Sequence, residues 1–393
     1  MDLSQSPPDK RSGGPLADVV VLDLATIIAG PACARYFADF GATVVKIENP
    51  HGLDNLRKSA ELDPRDDLAL FFKLHNRGKL GTTIDLKSAE GREQFLKLVE
   101  RADVVVENLR PGVLERLGLG PDVLFSVRPE LVLTRISAFG QTGPYAGRPG
   151  FATLAEAMSG FAYLNGEPDA PPLLPPVAVT DEVTALVAFA TTLLALRGGG
   201  GQVVDADLLQ SMLAIMGPAI PAAALLGKNH ERFGSRASFS VPRGIWRTGD
   251  GRWVAISGSS NGVALRIMDL IGLGDDPRFR TNSGRVANRE EVDAAIAAWT
   301  GARPLAEVLR AMEAADAAAA PILAPTELVV DEHVVARGNL IDVGGVPMQG
   351  YIARLSKGPS GPPEPFRGGY TPDEVCGILD GSAARPRRAN PRA

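Results

Sequence analysis

Asp181 is the residue in this sequence best suited to covalent chemistry. It follows a proline-rich stretch at 171–176 and directly precedes an apolar run at 183–196, which predicts a buried helix. A carboxylate at the start of a helix can act as an exposed nucleophile or base. The same place suits a helix N-cap, where Thr180 or Asp181 would stabilise the helix by about 1 kcal/mol. The residues alone leave both interpretations open.

Other kinds of site find little support. The first turn that could bind a nucleotide reads Thr26-Ile27-Ile28-Ala29-Gly30-Pro31 and lacks the glycine fingerprint of dinucleotide-binding proteins. The sequence contains no phosphate-binding P-loop and no G-x-S-x-G elbow. The four histidines are far apart and have no metal-ligand spacing, so we expect no metal site and no permanently bound cofactor.

Composition narrows the class of protein. The 393 residues carry 41 Lys and Arg against 46 Asp and Glu, a net charge of -5 that argues against nucleic acid as a partner. The longest apolar run falls short of the roughly 20 residues that a bilayer requires, so no membrane partner is expected. The N-terminal residues have no apolar signal segment, and two cysteines make no disulfide framework. We therefore expect a cytoplasmic protein.

Alternating elements must position these groups. Apolar, β-branched runs predict strands at 19–24, 43–47, 82–86, 103–107, 131–136 and 203–206, with helices between them. This order predicts an α/β fold, a Rossmann-like large domain with a parallel sheet. An Asp-Gly turn predicts a hairpin of strands 244–247 and 253–257, which begins a smaller α+β domain.

The predicted organisation has six parts. They are a disordered tail at 1–14, the large domain at 15–217, a linker at 218–243, the small domain at 244–323, a return linker with the C-terminal part of the large domain at 324–382, and a disordered tail at 383–393.

Several ordered blocks together resemble the class III coenzyme A transferases, the CaiB/BaiF-like family that includes formyl-CoA transferase and carnitine CoA-transferase. The resemblance covers about residues 17–345. The blocks are VLDLATIIAGPACARYFADFGATVVKIENP, HNRGKLGTTIDLKSAEGRE, ADVVVENLRPGVLERLGLG, ISAFGQTGPYAGRPG, VTDEVTALVAFATTLLAL, GQVVDADLLQSM, GIWRTGDGRWVAI and DDPRFRTNSGRVANREEV.

The resemblance implies that Asp181 is the catalytic nucleophile, which attacks an acyl-CoA thioester and later carries CoA as an aspartyl thioester. It also implies acyl-CoA and carboxylic acid substrates, and an interlocked homodimer. The helix dipole would favour the ionised form of Asp181. The implied contacts with coenzyme A are Ile28, Ala29, Asp85, Leu86, Lys87, Asn108, Leu109, Arg110, Arg116, Ala138 and Phe139. Arg77 and Lys79 are interpreted as solvated surface charges.

Two alternatives are weighed against the transferase. An α-methylacyl-CoA racemase needs two acid/base groups and resembles this family, but its Gly-His-Asp phrase is Gly150-Phe151-Ala152 here, and Phe151 cannot transfer a proton. A non-catalytic CoA-binding protein would not need Asp181. The loop at 234–240 is not glycine-rich, unlike that of formyl-CoA transferase, so the acceptor acid cannot be carried over.

Overall fold

The computed structural model describes residues 14–359 and 361–383. The predicted tails at 1–14 and 383–393 lie outside this part of the chain, apart from their inner ends at Gly14 and Ala383. The chain forms two compact units. The first comprises the chain up to Phe161, Leu174–Ile220 and the chain from Ala336 onward, and the second comprises Ala162–Leu173 and Pro221–Val335.

Strands and helices alternate along the first half of the chain. The strands are β1 Val20–Asp23, β2 Thr43–Glu48, β3 Lys79–Thr83, β4 Val104–Glu107, β5 Val132–Ser137, β6 Gln202–Asp207, β7 Arg243–Arg247, β8 Trp253–Ser257, β9 Ala318–Pro321, β10 Leu340–Val343, β11 Val346–Gln349 and β12 Arg367–Tyr370. The helices are α1 Ala29–Asp39, α2 Leu70–Asn76, α3 Ala89–Val99, α4 Val113–Arg116, α5 Pro121–Val127, α6 Ala152–Met158, α7 Phe161–Leu164, α8 Val179–Arg197, α9 Leu208–Ala214, α10 Ala219–Leu226, α11 Asn261–Leu270, α12 Asn282–Ala287, α13 Arg289–Gly301, α14 Leu305–Ala314, α15 Pro325–Leu328, α16 Glu332–Ala336 and α17 Pro372–Ala383.

A seven-stranded sheet in the order β12-β3-β2-β1-β4-β5-β6 forms the core of the first unit, as far as the described residues show. All its strand pairs are parallel, which confirms the predicted α/β fold. The strand order reverses between β1 and β4, the kind of switch point at which open α/β sheets bind ligands. β1 and β4 are buried along their whole length because helices cover both faces of the sheet.

Each face of the sheet has its own apolar core. One core joins α1 and α8 to the sheet through residues such as Phe37 and Ala188, and the other joins α3, α5 and α17 through residues such as Phe95 and Leu379. By length and composition alone α8 could cross a membrane. In this structure Ala185, Ala188 and Ala195 of α8 belong to the first core, so packing against α1 and the sheet accounts for one face of the helix. Leu186, Val187 and Leu194 of α8 are exposed.

The position of β3 corrects two predictions. The strand spans Lys79–Thr83, three residues earlier than expected, and Arg77 and Lys79 are fully buried rather than solvated. The Arg77 guanidinium pairs with Asp39, and the Lys79 ammonium lies 2.8 Å from the Asp23 carboxylate. These two charges look like surface residues in the sequence because the carboxylates that pair with them are 38 and 56 positions away.

The second unit contains the predicted hairpin. β7 and β8 pair antiparallel across a turn at 248–252, and β9 adds to β8. Helices α11, α13 and α14 pack on this sheet around Trp246, Ile256 and Val308. The segment predicted as a linker at 218–243 contains α10, and the return segment from 324 contains α15, α16, β10 and β11.

Candidate active site

Asp181 is the third residue of α8, in its first turn. Ala178 occupies the N-cap position, so the expectation that Thr180 or Asp181 caps the helix is wrong. The physical reason is that the helix begins at Val179, so both residues lie inside its first turn, where the Thr180 hydroxyl donates a 2.8 Å hydrogen bond to Oε1 of Glu156 on α6. The first turn of α8 therefore has no side-chain cap.

The negative charge of the Asp181 carboxylate has little compensation from neighbouring groups. In the part of the chain that the structure describes, no group donates a hydrogen bond to it and no cation pairs with it. Burial, followed by the negative charges of Glu156 and Glu182, raises the pKa of Asp181 from 3.8 to about 6. The carboxylate is thus more basic than an ordinary aspartate, but it is still mostly ionised at neutral pH.

Glu182 shows the opposite behaviour one residue later. The Tyr36 hydroxyl lies 2.5 Å from its carboxylate, Nε2 of His75 lies 3.0 Å away, and Arg35 lies 3.4 Å away. Burial alone would raise the pKa of Glu182, but the His75 contact and the charge of Arg35 outweigh it and lower the pKa to about 2. Glu182 therefore anchors the start of α8 to α1 and α2, whereas Asp181 beside it has no such partner among the described residues.

The N-terminus of α8 lies at the carboxyl edge of the sheet. A helix that leads into a parallel strand runs against the strand direction, and α8 precedes β6. Ala178, the N-cap of α8, packs in one apolar cluster with Ile27 and Ile28, which follow β1. The structure thus brings the helix that carries Asp181 next to the predicted contact Ile28.

Ile28, Ala29 and Gly30 offer unpaired donors at this edge. Ile28 is the N-cap of α1, which has no side-chain cap, and within the described residues the three N–H groups have no hydrogen-bond acceptor. Gly30 is required at its position, because a Cβ atom there would lie 2.2 Å from Cβ of Ala25. Free N–H groups at a helix start suit an anionic oxygen or sulfur.

The other predicted contacts follow neighbouring strands at the same edge. Asp85, Leu86 and Lys87 follow β3; Asn108, Leu109 and Arg110 follow β4, with Arg116 on α4; Ala138 and Phe139 follow β5. Lys87, Arg110 and Arg116 are exposed cations at this edge. Asp85 accepts a hydrogen bond from the N–H of Lys87 and lies 3.5 Å from His51.

Asn108 has a different environment from that expected of a ligand contact. Its carboxamide oxygen accepts from the N–H of Thr26 at 2.9 Å, and its amide nitrogen donates to the Thr26 carbonyl at 2.7 Å. The N–H of Leu109 donates to Glu107. The side chain of Asn108 is therefore already engaged with the turn after β1.

Sequence reasoning missed the groups around Asp181. Glu156 is buried on α6, 25 positions before Asp181, and no local pattern marks it. Tyr36 and His75 likewise reach Glu182 from distant helices. Phe151, at the position of the racemase histidine, is exposed and has no titratable group. Within the described residues no group of three or more His, Cys, Asp or Glu side chains could hold a metal ion.

Comparisons with known proteins agree on one family. The model described as CoA-transferase family III matches residues 16–368. A succinyl-CoA–D-citramalate CoA-transferase of Chloroflexus aurantiacus is 37% identical over 370 residues, which cover 91% of this chain and 90% of the relative. The beta subunit of a succinyl-CoA–L-malate CoA-transferase of the same organism is 38% identical over 338 residues, with coverages of 84% and 83%. A crystal structure of a CaiB/BaiF family protein from Brucella suis has 31% identity and a TM-score of 0.81, and the match covers 94% of this chain and 100% of that chain.

Proposed function

The chain belongs to CoA-transferase family III and is a CoA-transferase, and from this premise we propose that it transfers coenzyme A through a covalent intermediate on Asp181. The donor is an acyl-CoA thioester and the acceptor is a free carboxylic acid. The observation that carries the proposal is the Asp181 carboxylate itself, which lies part-buried at a helix start, has no cationic partner among the described residues and has a raised pKa.

The reaction balances without a net proton. An oxygen of Asp181 attacks the thioester carbon of the donor, the C–S bond breaks, and CoA thiolate leaves a mixed anhydride on the enzyme. The thiolate then attacks the aspartyl carbonyl, which releases the donor acid and gives an aspartyl-CoA thioester. The acceptor carboxylate repeats both steps in reverse, so that acceptor acyl-CoA forms and Asp181 is regenerated.

A basic carboxylate suits the first step. Nucleophilicity rises with basicity, and a pKa near 6 leaves Asp181 mostly ionised at pH 7 while making it a better nucleophile than an aspartate of ordinary pKa. Exclusion of water matters equally, because a mixed anhydride hydrolyses readily. The partial burial of Asp181 supports this requirement.

Coenzyme A is proposed to bind along the carboxyl edge of the sheet. The free N–H groups of Ile28 and Ala29 would hold the thiolate or the oxyanion. Lys87, Arg110 and Arg116 would face the nucleotide phosphates, since exposed cations at strand ends suit anionic groups. The remaining proposed contacts are Asp85, Leu86, Leu109, Ala138 and Phe139. Asn108 is not among them, because its side chain is engaged with Thr26.

Succinyl-CoA is the donor that we propose to assay first. Two relatives with 37% and 38% identity are named for succinyl-CoA as donor, with D-citramalate and L-malate as acceptors. A dicarboxylyl-CoA and a hydroxy acid are therefore the first pair, followed by a panel of other carboxylic acids.

A homodimer is proposed as the working assembly, and a cytoplasmic location stays a prediction. The eight residues of α10 are apolar throughout, and none of them is buried. Leu225 on α10 and Val330 in the return segment are 83% and 76% exposed. Apolar residues this exposed indicate a surface that binds another protein chain. A second copy of this chain is the partner that the family resemblance implies.

The test is Asp181→Ala, assayed for exchange of CoA between succinyl-CoA and the acid panel. We expect the variant to lose exchange while it still binds CoA within a few-fold of the wild type by calorimetry. Exchange near the wild-type rate in Asp181→Ala would refute the mechanism.

Trapping gives an independent check. Hydroxylamine added with acyl-CoA should inactivate the wild type and leave a hydroxamate on Asp181, detected by peptide mass spectrometry. Glu182, on the same peptide, is the matched control and should stay unmodified, because cationic and hydroxyl partners hold its carboxylate. Modification of neither residue after turnover would argue for a non-covalent transfer, and label entry at the α-carbon of a 2-methylacyl-CoA would support the racemase instead.

A further inference from the structure

The backbone conformation of Ile27 is unusual in the turn between β1 and α1. Its φ angle is +67°, in the left-handed region, where a β-branched residue is an outlier. Such a conformation persists only when the surroundings enforce it, and it tends to occur at functional sites. The next residues, Ile28 and Ala29, carry the free N–H groups described above.

Side chains from three other strands or loops enforce this conformation. Asn108 binds both the N–H and the carbonyl of Thr26. The carboxylate of Asp54 accepts from the N–H of Ile27, at 3.1 and 3.2 Å. The ammonium of Lys46 donates to the carbonyl of Ala25 at 2.8 Å and to Asp54 at 3.0 Å.

The holding groups are themselves fixed. The side chains of Lys46 and Asp54 form an ion pair with no solvent exposure. The N–H of Asp54 donates to Glu48, and Glu48 forms two hydrogen bonds with Arg57. Asp54 therefore has little freedom to move with the turn, and the turn must adapt to it.

Hydrogen bonding of the backbone N–H groups after β1 stops abruptly at Ile27. The N–H of Leu24 bonds to Val106, the N–H of Ala25 bonds to Asp23, and the N–H groups of Thr26 and Ile27 bond to Asn108 and Asp54. Within the described residues, the N–H groups of Ile28, Ala29 and Gly30 are free. Side-chain oxygens thus accept from the N–H groups of Ala25, Thr26 and Ile27 and leave the following donors available.

We propose that Asn108, Lys46 and Asp54 form a clamp that holds the turn at 25–27 in a strained conformation, so that the N–H groups of Ile28 and Ala29 face the reacting thioester. Asn108 is then a positioning residue that acts through Thr26, and not a direct ligand of coenzyme A. This inference rests on the proposed function for its kinetic consequence, but the clamp itself is a property of the fold.

Asn108→Ala combined with Ile27→Gly tests the clamp in a double-mutant cycle. Glycine adopts a φ of +67° without strain, so Ile27→Gly removes the need for part of the clamp. We expect Asn108→Ala alone to lower kcat at least tenfold with little change in the KM for acyl-CoA. We expect the double variant to recover to within about threefold of Ile27→Gly alone. The single Ile27→Gly variant is the matched control for loss of the isoleucine side chain from its apolar cluster.

A direct ligand role for Asn108 gives a different result. Asn108→Ala would then raise KM with kcat unchanged, and Ile27→Gly would change activity by the same factor in both backgrounds. Either observation overturns the clamp.

Hydrogen exchange gives a readout that does not depend on catalysis. We expect faster exchange of the amides of Thr26 and Ile27 in Asn108→Ala than in the wild type, with no change in the amides of β5. If this is seen but the wild type exchanges CoA between no pair of substrates, the proposed function fails and the clamp stands. Unchanged exchange at Thr26 and Ile27 refutes the clamp whatever the activity.

Discussion

Replacement of Asp181 by asparagine should abolish CoA exchange and yet make the protein more stable at neutral pH. Asparagine has nearly the shape of protonated aspartate but carries no charge. The folded chain holds a proton on Asp181 more tightly than the unfolded chain, because burial and the acids Glu156 and Glu182 raise its pKa from 3.8 to about 6. Ionisation of Asp181 therefore opposes folding.

The size of the effect follows from the pKa. Each pKa unit corresponds to ~1.36 kcal/mol, so a rise from 3.8 to about 6 corresponds to ~3 kcal/mol. The unfolded state binds fewer protons than the folded state between these two values, so the wild type loses stability as pH rises through this window. Below about pH 3 Asp181 is protonated in both states and the penalty disappears. The penalty is complete above about pH 7.

Thermal unfolding measured from pH 3 to pH 8 tests the direction of this pH dependence. We expect nearly equal melting temperatures for the wild type and Asp181→Asn near pH 3, and a melting temperature higher by roughly 4 °C for the variant at pH 8. Glu182→Gln is the matched control, because the pKa of Glu182 is lowered and its charge is stabilising. That variant should be less stable than the wild type at pH 8. A melting difference for Asp181→Asn that is constant with pH, or negative at pH 8, would refute the reasoning.

Two further predictions concern the neighbours of this carboxylate. Glu156→Gln keeps an oxygen that can accept a hydrogen bond from Thr180 but removes a negative charge beside Asp181. The acidic limb of the pH profile of kcat/KM should therefore shift to lower pH by roughly 0.5–1 unit. An unmoved limb would show that Glu156 does not influence Asp181. Arg116→Ala should weaken CoA binding roughly tenfold in calorimetry at low salt. Arg310 is an exposed arginine on α14, and its replacement by alanine should leave CoA binding unchanged. Equal effects of the two variants would exclude a specific contact at Arg116.

The sequence predicts six of the seven strands that the described residues form in the large sheet, because the signal of a buried strand is local, but it does not predict β12 at the sheet edge. Continuous β-branched runs such as the one in β1 mark strands that are buried on both faces, and the glycine and proline after β1 mark the start of α1. The predicted bounds of β3 were three residues too late because Lys79, its first residue, is charged, and a charged residue in a local pattern indicates an exposed position. The ion pair between Lys79 and Asp23 depends on the order of strands in the sheet. Neither the sequence of β1 nor that of β3 specifies this order alone.

The candidate site divides in the same way. Asp181 stands out in the sequence because a carboxylate follows a proline-rich loop and precedes an apolar helix. The sign of its pKa shift cannot be predicted from the sequence, because it depends first on burial in the folded chain and then on the charge of Glu156 from another helix. The helix N-terminus would stabilise the ionised form by about 0.3–1 kcal/mol. Burial and two acidic neighbours outweigh this effect, since the net pKa is raised.

Buried ion pairs beneath the turn fit a role in geometry better than one in stability. A buried pair contributes little to stability relative to apolar residues of the same volume, because desolvation offsets the attraction. Each lysine also donates a hydrogen bond to the backbone: Lys46 to the carbonyl of Ala25 and Lys79 to the carbonyl of Pro31. These two carbonyls flank the free N–H groups at Ile28, Ala29 and Gly30 on either side. Apolar replacements could preserve the packing but could not hold either carbonyl, so the cations are required wherever the position of those donors matters for the reaction.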